Sequence, residues 1–275
     1  MILIDLHLHS TSSDGTLSPK ELVSKAKGRG ISVASLTDHD TTEGVETFLD
    51  ACRQRGVRGI SGVELSADFN GVMHILGYRF EPQSAVFQKH MKELREGRNE
   101  RNSKICRKLT DLGVSISIEE VEAEAKGEVV ARPHVARVLI KKGYVQSMSA
   151  AFERYLGRGA PAYVPRYRLS PSLCIEIIQE AGGVAVLAHP TQTTDDNGEL
   201  VDILRRLKEK GLWGLECITP HHSSGQIFQF LRIADEMGLF PTAGTDYHGA
   251  NRPSISMGIP VNEGFLPWAR LGISL

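Results

Sequence analysis

The 275-residue sequence predicts an α/β protein, a barrel of seven strands interrupted by a helical insertion. Three observations carry this. Short apolar runs alternate with amphipathic helices at both ends of the chain, the stretch between them reads as helices, and the predicted strands end in side chains able to bind metal. The two ends, 1–82 and 170–275, form the barrel, and 83–169 forms the insertion.

Ile2, Leu3 and Ile4 begin a buried strand leading into Asp5-Leu6-His7-Leu8-His9-Ser10-Thr11-Ser12-Ser13-Asp14. Residues two apart on a strand share a face, so the imidazoles of His7 and His9 point the same way. The small polar residues that follow form a turn that brings Asp14 back to the strand end, adding an oxygen to two nitrogens. Taken alone, such a His-x-His is equally an exposed strand end. Ser18, Pro19 and Glu21 then sign a helix start, and Gly28 and Gly30 its end. Strand 31–36 delivers Thr37-Asp38-His39-Asp40 before a helix over 43–54. Strand 59–63 ends in Glu64, and strand 72–78 carries His74 within it.

The insertion opens with a long helix over 86–112, followed by helices over 118–125, 133–142 and 148–156, with one short strand over 114–118. Strand 183–188 resumes the alternation and ends in His189-Pro190. A helix over 199–210, a strand over 213–218, a helix over 224–237 and a strand over 240–244 lead into Thr245-Asp246-Tyr247-His248. The segment 251–275, with Pro253, Pro260 and Pro267, reads as a tail packing across the barrel.

In barrels of strand-helix units the site collects at the C-terminal strand ends. His7, His9, Asp14, His39, Glu64, His189, Asp246 and His248 fall there, with His74 inside its strand. Buried structural histidines have no preference for strand ends, and Asp14, Glu64 and Asp246 would repel one another unless cations lay between them. The set therefore reads as a metal cluster.

Composition narrows the rest. A net charge of -1 predicts no global affinity for nucleic acid, so phosphate binding must come from local basic clusters. No apolar run reaches the roughly 20 residues that span a bilayer, and Asp5 interrupts the first run, so neither a membrane nor a secretion signal is expected and the cytoplasm is the expected location. Cys52, Cys106, Cys174 and Cys217 lie far apart and read as reduced packing residues. Nothing points to an obligate protein partner.

The residues Asp5-Leu6-His7-Leu8-His9-Ser10, Thr37-Asp38-His39-Asp40, Gly62-Val63-Glu64, His74, Ala188-His189-Pro190 and Gly244-Thr245-Asp246-Tyr247-His248 resemble the PHP family, the polymerase and histidinol phosphatase superfamily of metal-dependent phosphoesterases. The resemblance implies a distorted seven-stranded β/α barrel holding two or three divalent metals. His7, His9, Glu64 and Asp246 would hold the first metal. Glu64, His74 and His189 would hold the second, and Asp14, His39 and His248 the third. Asp14 stands where several relatives have histidine, which hardens that site towards manganese or magnesium. Manganese is expected on the mixed imidazole and carboxylate set, with zinc, iron and magnesium as alternatives. Such cations neutralise phosphoryl oxygens and lower the pKa of a bridging water, so a hydroxide held between the first two metals, whose implied ligands include Glu64 and His189, would attack phosphorus in line. The general acid is His222 or else His134, and for either a solvated structural role is an equal alternative.

Substrate choice is expected in the insertion. Arg132-Pro133-His134 sits at a helix start, where free N–H groups favour an anion and an arginine adds a bidentate grip. Within Arg98-Asn99-Glu100-Arg101-Asn102, helical spacing puts Arg98, Arg101 and Asn102 on one face, with Asn99 beside them, and Arg158 follows in a stretch rich in glycine and proline. The alternative is a solvated charged face. Tyr155, Tyr163 and Tyr167 would stack a base or simply pack. The insertion is similar to that of one bacterial PHP subgroup, which contains phosphatases of 3',5'-bisphosphates such as pAp and 5'-3' exonucleases. That resemblance implies a small nucleotide substrate and removal of its 3'-phosphate, giving AMP and phosphate from pAp. Exoribonuclease activity on short or 5'-monophosphorylated RNA is the alternative. A histidinol-phosphate phosphatase would need an acidic pocket where this insertion offers arginines, and a non-catalytic PHP module would be expected to lack ligands that are all present here.

Overall fold

A computed structural model describes residues 1–125, 129–266 and 268–272. Eight strands make one sheet: β1 (Ile2–Leu8), β2 (Ile31–Leu36), β3 (Arg58–Ser66), β4 (His74–Tyr78), β5 (Val184–Leu187), β6 (Gly214–Ile218), β7 (Phe240–Ala243) and β8 (Ile259–Val261). The order is β7-β6-β5-β4-β3-β2-β1-β8. Strands β1 to β3 run parallel, as do β5 to β7. The barrel nearly closes through Tyr247, just past β7. Its N–H donates to His7 O at 3.3 Å, and His9 N–H donates to Tyr247 O at 3.0 Å.

Two departures from the sequence reading shape the rim. Strand β4 is antiparallel to both neighbours. His74 is its first residue rather than an interior one, and because the strand is reversed its start lies level with the C-terminal ends of the others. The second departure is β8, drawn from the segment read as a tail, which pairs antiparallel with β1. It is an edge strand of three residues, and Pro260, which cannot donate to a ladder, is tolerated only at an edge.

The tail is part of the core. Ile259, Val261, Trp268 and Leu271 bury with Ile4, Leu6, Val33, Ile60, Leu76, Tyr78 and Val186. Pro267 and residues 273–275 of that segment lie outside the described residues. The first helix, Pro19–Gly28, carries the reciprocal Ser18 and Glu21 cap that its sequence announces. All four cysteines are free and buried.

The chain divides into two compact units, Met1–Met91 with Arg168–Leu275, and Lys92–Tyr167. The long helix Ala85–Asp111 begins in the first and continues in the second. The second unit has its own core, in which Ile105, Leu109, Val121, Val135, Leu139 and Leu156 are buried together. The short strand expected over 114–118 is absent. Val114 and Ile116 are both buried, which produces a strand-like alternation, but their backbone is an irregular link between two helices.

Candidate metal centre

At the end of β1, the rings of His7 and His9 lie with centroids 5.2 Å apart. The chain then turns sharply, the N–H groups of Ser13 and Gly15 both donating to Ser10 O at 3.1 and 2.9 Å. A Cβ at Gly15 would stand 2.1 Å from the His9 carbonyl oxygen, so this return, which carries Asp14 back to the rim, needs glycine. His39 follows β2, Glu64 lies near the end of β3, His189 follows β5, and Asp246 and His248 follow β7. Asp40, His189 and Asp246 hold positive φ values of 52°, 24° and 56°. Non-glycine residues keep such conformations only where their surroundings fix them.

His7, His9, Glu64 and Asp246 are all buried and present ligand atoms within 4.8 Å of one another. Two further groups meet the same condition: His9, Asp14, His39 and His248, and His39, Glu64 and His74. His189 Nε2 lies 2.9 Å from Glu64 Oε1 and 3.2 Å from His74 Nδ1. All nine residues singled out in the sequence thus gather in one cluster, with Glu64 at its middle. Its Oε2 faces His7 Nε2 and His9 Nε2, each at 3.3 Å, and His39 Nδ1 at 2.9 Å, while Oε1 faces His74 Nδ1 at 2.8 Å. His9 borders the Asp14 group as well as the His7 group, which the sequence did not foretell.

The residues fit divalent cations. Among the described residues, His7 Nε2, His9 Nε2, Glu64 Oε2 and His248 Nε2 are buried without a well-formed hydrogen bond, although carboxylate or imidazole atoms stand 2.9 to 3.3 Å away. Ligands bonded to one cation at about 2.0–2.2 Å sit roughly 3.0–3.5 Å from each other, so this spacing is that of atoms aimed at a shared point. Burial opposes charge on His7, yet Glu216, Glu64 and Asp246 hold its pKa well above the usual value. Burial likewise opposes charge on His9, but Asp246 and Glu64 take it to about 10. Glu64, against its burial, is held well below the carboxylate range by His39, His74 and His7. Asp14 and Asp246 are held down against burial chiefly by His39 and His7, respectively. His248 falls to about 4 through burial and the charge of His9. A cation entering here displaces protons, because only neutral imidazole ligates.

Four buried carboxylates around the cluster were given no role by the sequence reading, three of them within its own motifs. Glu216 on β6 accepts from His7 Nδ1 at 2.9 Å and from the His189 N–H at 2.7 Å. Asp5 accepts from the Thr245 N–H and hydroxyl at 2.9 and 2.6 Å and from the Gly258 N–H at 2.9 Å, and burial lifts its pKa to about 6. Asp38 accepts from the Ser10 N–H at 2.7 Å and the Ser10 hydroxyl at 2.6 Å, and Asp40 from the Ser66 N–H at 2.8 Å. The available signal was an acidic residue where strand pattern demands a buried one, as with Asp5 inside Ile2–Leu8 and Glu216 inside Gly214–Ile218. Arg252 also bonds Asp246.

His222 donates from Nδ1 to Cys217 O at 3.0 Å, and its buried Nε2 makes no hydrogen bond to any of the described residues. Nε2 therefore carries the lone pair. To act as an acid it would need a second proton, which burial opposes by lowering its pKa.

In the helical unit, Arg98, Arg101 and Asn102 are buried, not solvated. Arg101 donates from Nε and Nη2 to Asn102 Oδ1 at 3.1 and 2.7 Å, and Asn102 donates to Val130 O at 3.0 Å. Arg132 donates to Leu156 O at 3.2 Å, with its guanidinium over the rings of Phe152 and Tyr163. His134 Nδ1 accepts from the Ala131 N–H at 3.0 Å, which caps the start of helix Arg132–Lys141. Asn99 and Arg158 are exposed.

The chain matches the PHP domain over residues 5–154. It is 35% identical over 273 residues to a 5'-3' exoribonuclease of Haemophilus influenzae, a match covering 95% of this chain and 98% of that one. It is 32% identical over 250 residues to a 3',5'-nucleoside bisphosphate phosphatase of Chromobacterium violaceum, covering 90% of this chain and 88% of the relative. The solved structure of an amidohydrolase from Chromobacterium violaceum, with bound sulfate and no metal, superimposes with a TM-score of 0.83 at 30% identity, covering 98% of this chain and 95% of that one. With motif, fold and full-length similarity in agreement, the chain belongs to the PHP family of phosphoesterases.

Proposed function

We propose that this protein is a divalent-metal-dependent phosphohydrolase that removes the 3'-phosphate from nucleoside 3',5'-bisphosphates, converting pAp to AMP and phosphate. The observation that carries the reading is the cluster around Glu64, whose two oxygens face different histidines, so that Glu64 would serve as ligand to more than one cation. Bound cations, manganese first among them for this ligand set, neutralise the phosphoryl oxygens and lower the pKa of water at the site.

The chain's own contributions follow from position. His7, His9 and Asp246 complete a wholly buried group with Glu64, which keeps bulk water from the place where charge develops. Asp14, whose side chain is half exposed, opens the His39 and His248 group towards solvent, where an anionic ester can enter. The buried Arg98 and Arg101 and the aromatic-backed Arg132 give the helical unit the chemistry of a phosphate grip. Among the described residues, no helix is long and apolar enough to cross a membrane. The setting proposed with this activity is the cytoplasm, with a small nucleotide as partner.

The Haemophilus relative favours a second reading, release of mononucleotides from 5'-phosphorylated RNA. Both reactions hydrolyse the ester at a 3' oxygen. Phosphate release by manganese-loaded protein from pAp, AMP, 3'-AMP and histidinol phosphate, beside mononucleotide release from a 5'-phosphorylated RNA pentamer, separates them. Preferred turnover of pAp to AMP is the expected result. Turnover of the pentamer alone would replace this reading with the second, and turnover of none, despite bound metal, would remove both.

A further inference from the structure

We propose that Glu216 is a positioning residue that sets the geometry of two candidate metal ligands at once. It fixes the tautomer of His7 with one oxygen and the backbone of His189 with the other. The inference rests on the metal-dependent reading above.

Glu216 is wholly buried on β6, between strand ends that deliver different ligands. Its Oε1 stands 2.9 Å from His7 Nδ1. A carboxylate only accepts, so Nδ1 carries a proton in either charge state of His7, and the proton a cation would displace is the one on Nε2, which faces Glu64 Oε2 at 3.3 Å among the atoms that converge on the first cation position. Oε2 accepts the His189 N–H at 2.7 Å. His189 holds φ 24° and ψ 67°, a backbone that a non-glycine residue keeps only under restraint, and its Nε2 reaches Glu64 Oε1. Packing leaves little slack around this arrangement. A Cβ at Gly244 would lie 2.3 Å from His7 Cβ and 3.0 Å from Glu216 Oε1, so the pair fills the space that glycine leaves.

Both partners of Glu216 are donors, which makes the nearly isosteric Glu216→Gln informative. An amide offers one acceptor and one donor. In either orientation one partner loses its acceptor and meets an N–H group instead. Facing His7, that amide would draw the proton to Nε2 and block ligation there. Facing His189, it would release the strained turn. Gly244→Ala tests the same contact by pushing on it from outside, with the carboxylate intact.

The test is metal content and chelator-competition affinity for manganese and zinc in the wild type, Glu216→Gln and Gly244→Ala, with circular dichroism as the control for folding. The expected result is affinity for at least one cation weakened by about 10–100-fold in Glu216→Gln, with secondary structure kept. Nitrogen NMR of labelled histidines in the zinc-loaded wild type gives a second readout, and decides the matter should Glu216→Gln fail to fold. It should show His7 protonated at Nδ1 and metal-bound at Nε2. Affinity within twofold of wild type in a folded Glu216→Gln, or a His7 proton on Nε2, would overturn the proposal while leaving the metal-dependent reading standing. A wild type that binds neither cation would remove both.

Discussion

The two units carry their chemistry in opposite ways. In the barrel unit nine residues from strand ends across the whole chain converge, and buried carboxylates hold the strands and loops that present them. In the helical unit Arg98, Arg101 and Asn102 come from one helix, and Arg132 and His134 from the start of another. A site assembled from distant strands needs every brace in place, so single changes there should be severe. On the proposed reading the arginines of the helical unit act as separate charges on two helices, so the loss of one there should be graded.

The largest effect should come at the middle of the first arrangement. Glu64→Gln, or His189→Ala, should abolish turnover by at least about a thousandfold with secondary structure retained, since each touches more than one group of the cluster. Metal analysis and single-turnover assays with circular dichroism check this. A variant keeping a tenth of wild-type activity would mean the cluster is not the reacting centre.

Arg132→Ala should fall in the middle. It should raise KM for bisphosphates by about 10–100-fold while a simple phosphomonoester is affected far less, as loss of one charged hydrogen-bonding group implies. Equal losses on both would return Arg132 to a packing role over Phe152 and Tyr163.

Protons sharpen the same contrast. With metal stripped, burial opposes charge on His9, but Asp246 and Glu64 raise its pKa from 6.5 to about 10, so its contribution to stability is complete below pH 6.5 and is lost as pH rises to 10. Metal binding removes that proton, so affinity should rise with pH over the same window. Calorimetry in buffers of different ionisation enthalpy should show net proton release, and affinity independent of pH between 6.5 and 9 would contradict these shifts.

A smaller, purely structural effect concerns the tail. Trp268→Ala should cost about 3 kcal/mol of stability, read from denaturant unfolding, because its side chain buries with β1 and β5 residues. A loss below about 1 kcal/mol would place the tail outside the core.

Much of the barrel was legible because two independent patterns coincide, strand-helix alternation and metal-ligating side chains at strand ends. His7, His9 and Asp14 could be placed from strand periodicity and a turn of small residues, and the Gly15 contact shows why that turn closes. The reversal of β4 left no mark in five residues of sequence, so the sequence sets His74 inside its strand, whereas the antiparallel pairing puts it at the rim. Strand β8 was hidden because a proline in a three-residue run argues against a strand unless an edge is waiting for it. Glu216 and Asp5 were readable one by one as charges at strand positions whose pattern demands burial, whereas Asp38 and Asp40 lie past β2 and carried no such signal. Their partners lie up to 253 residues away, so the contacts that give them a role exist only in the fold. In the helical unit the shared face of Arg98, Arg101 and Asn102 followed from helical spacing, whereas their burial did not.

The central claim is that this cluster binds divalent cations and that those cations are required for phosphoester hydrolysis. The direct measurement is manganese titration of stripped protein, following bound metal and pAp hydrolysis together. The account predicts two or three ions per chain, with activity absent before addition and rising as the Glu64 groups fill. Binding of less than one ion per chain, or hydrolysis undiminished in the stripped protein, would contradict it.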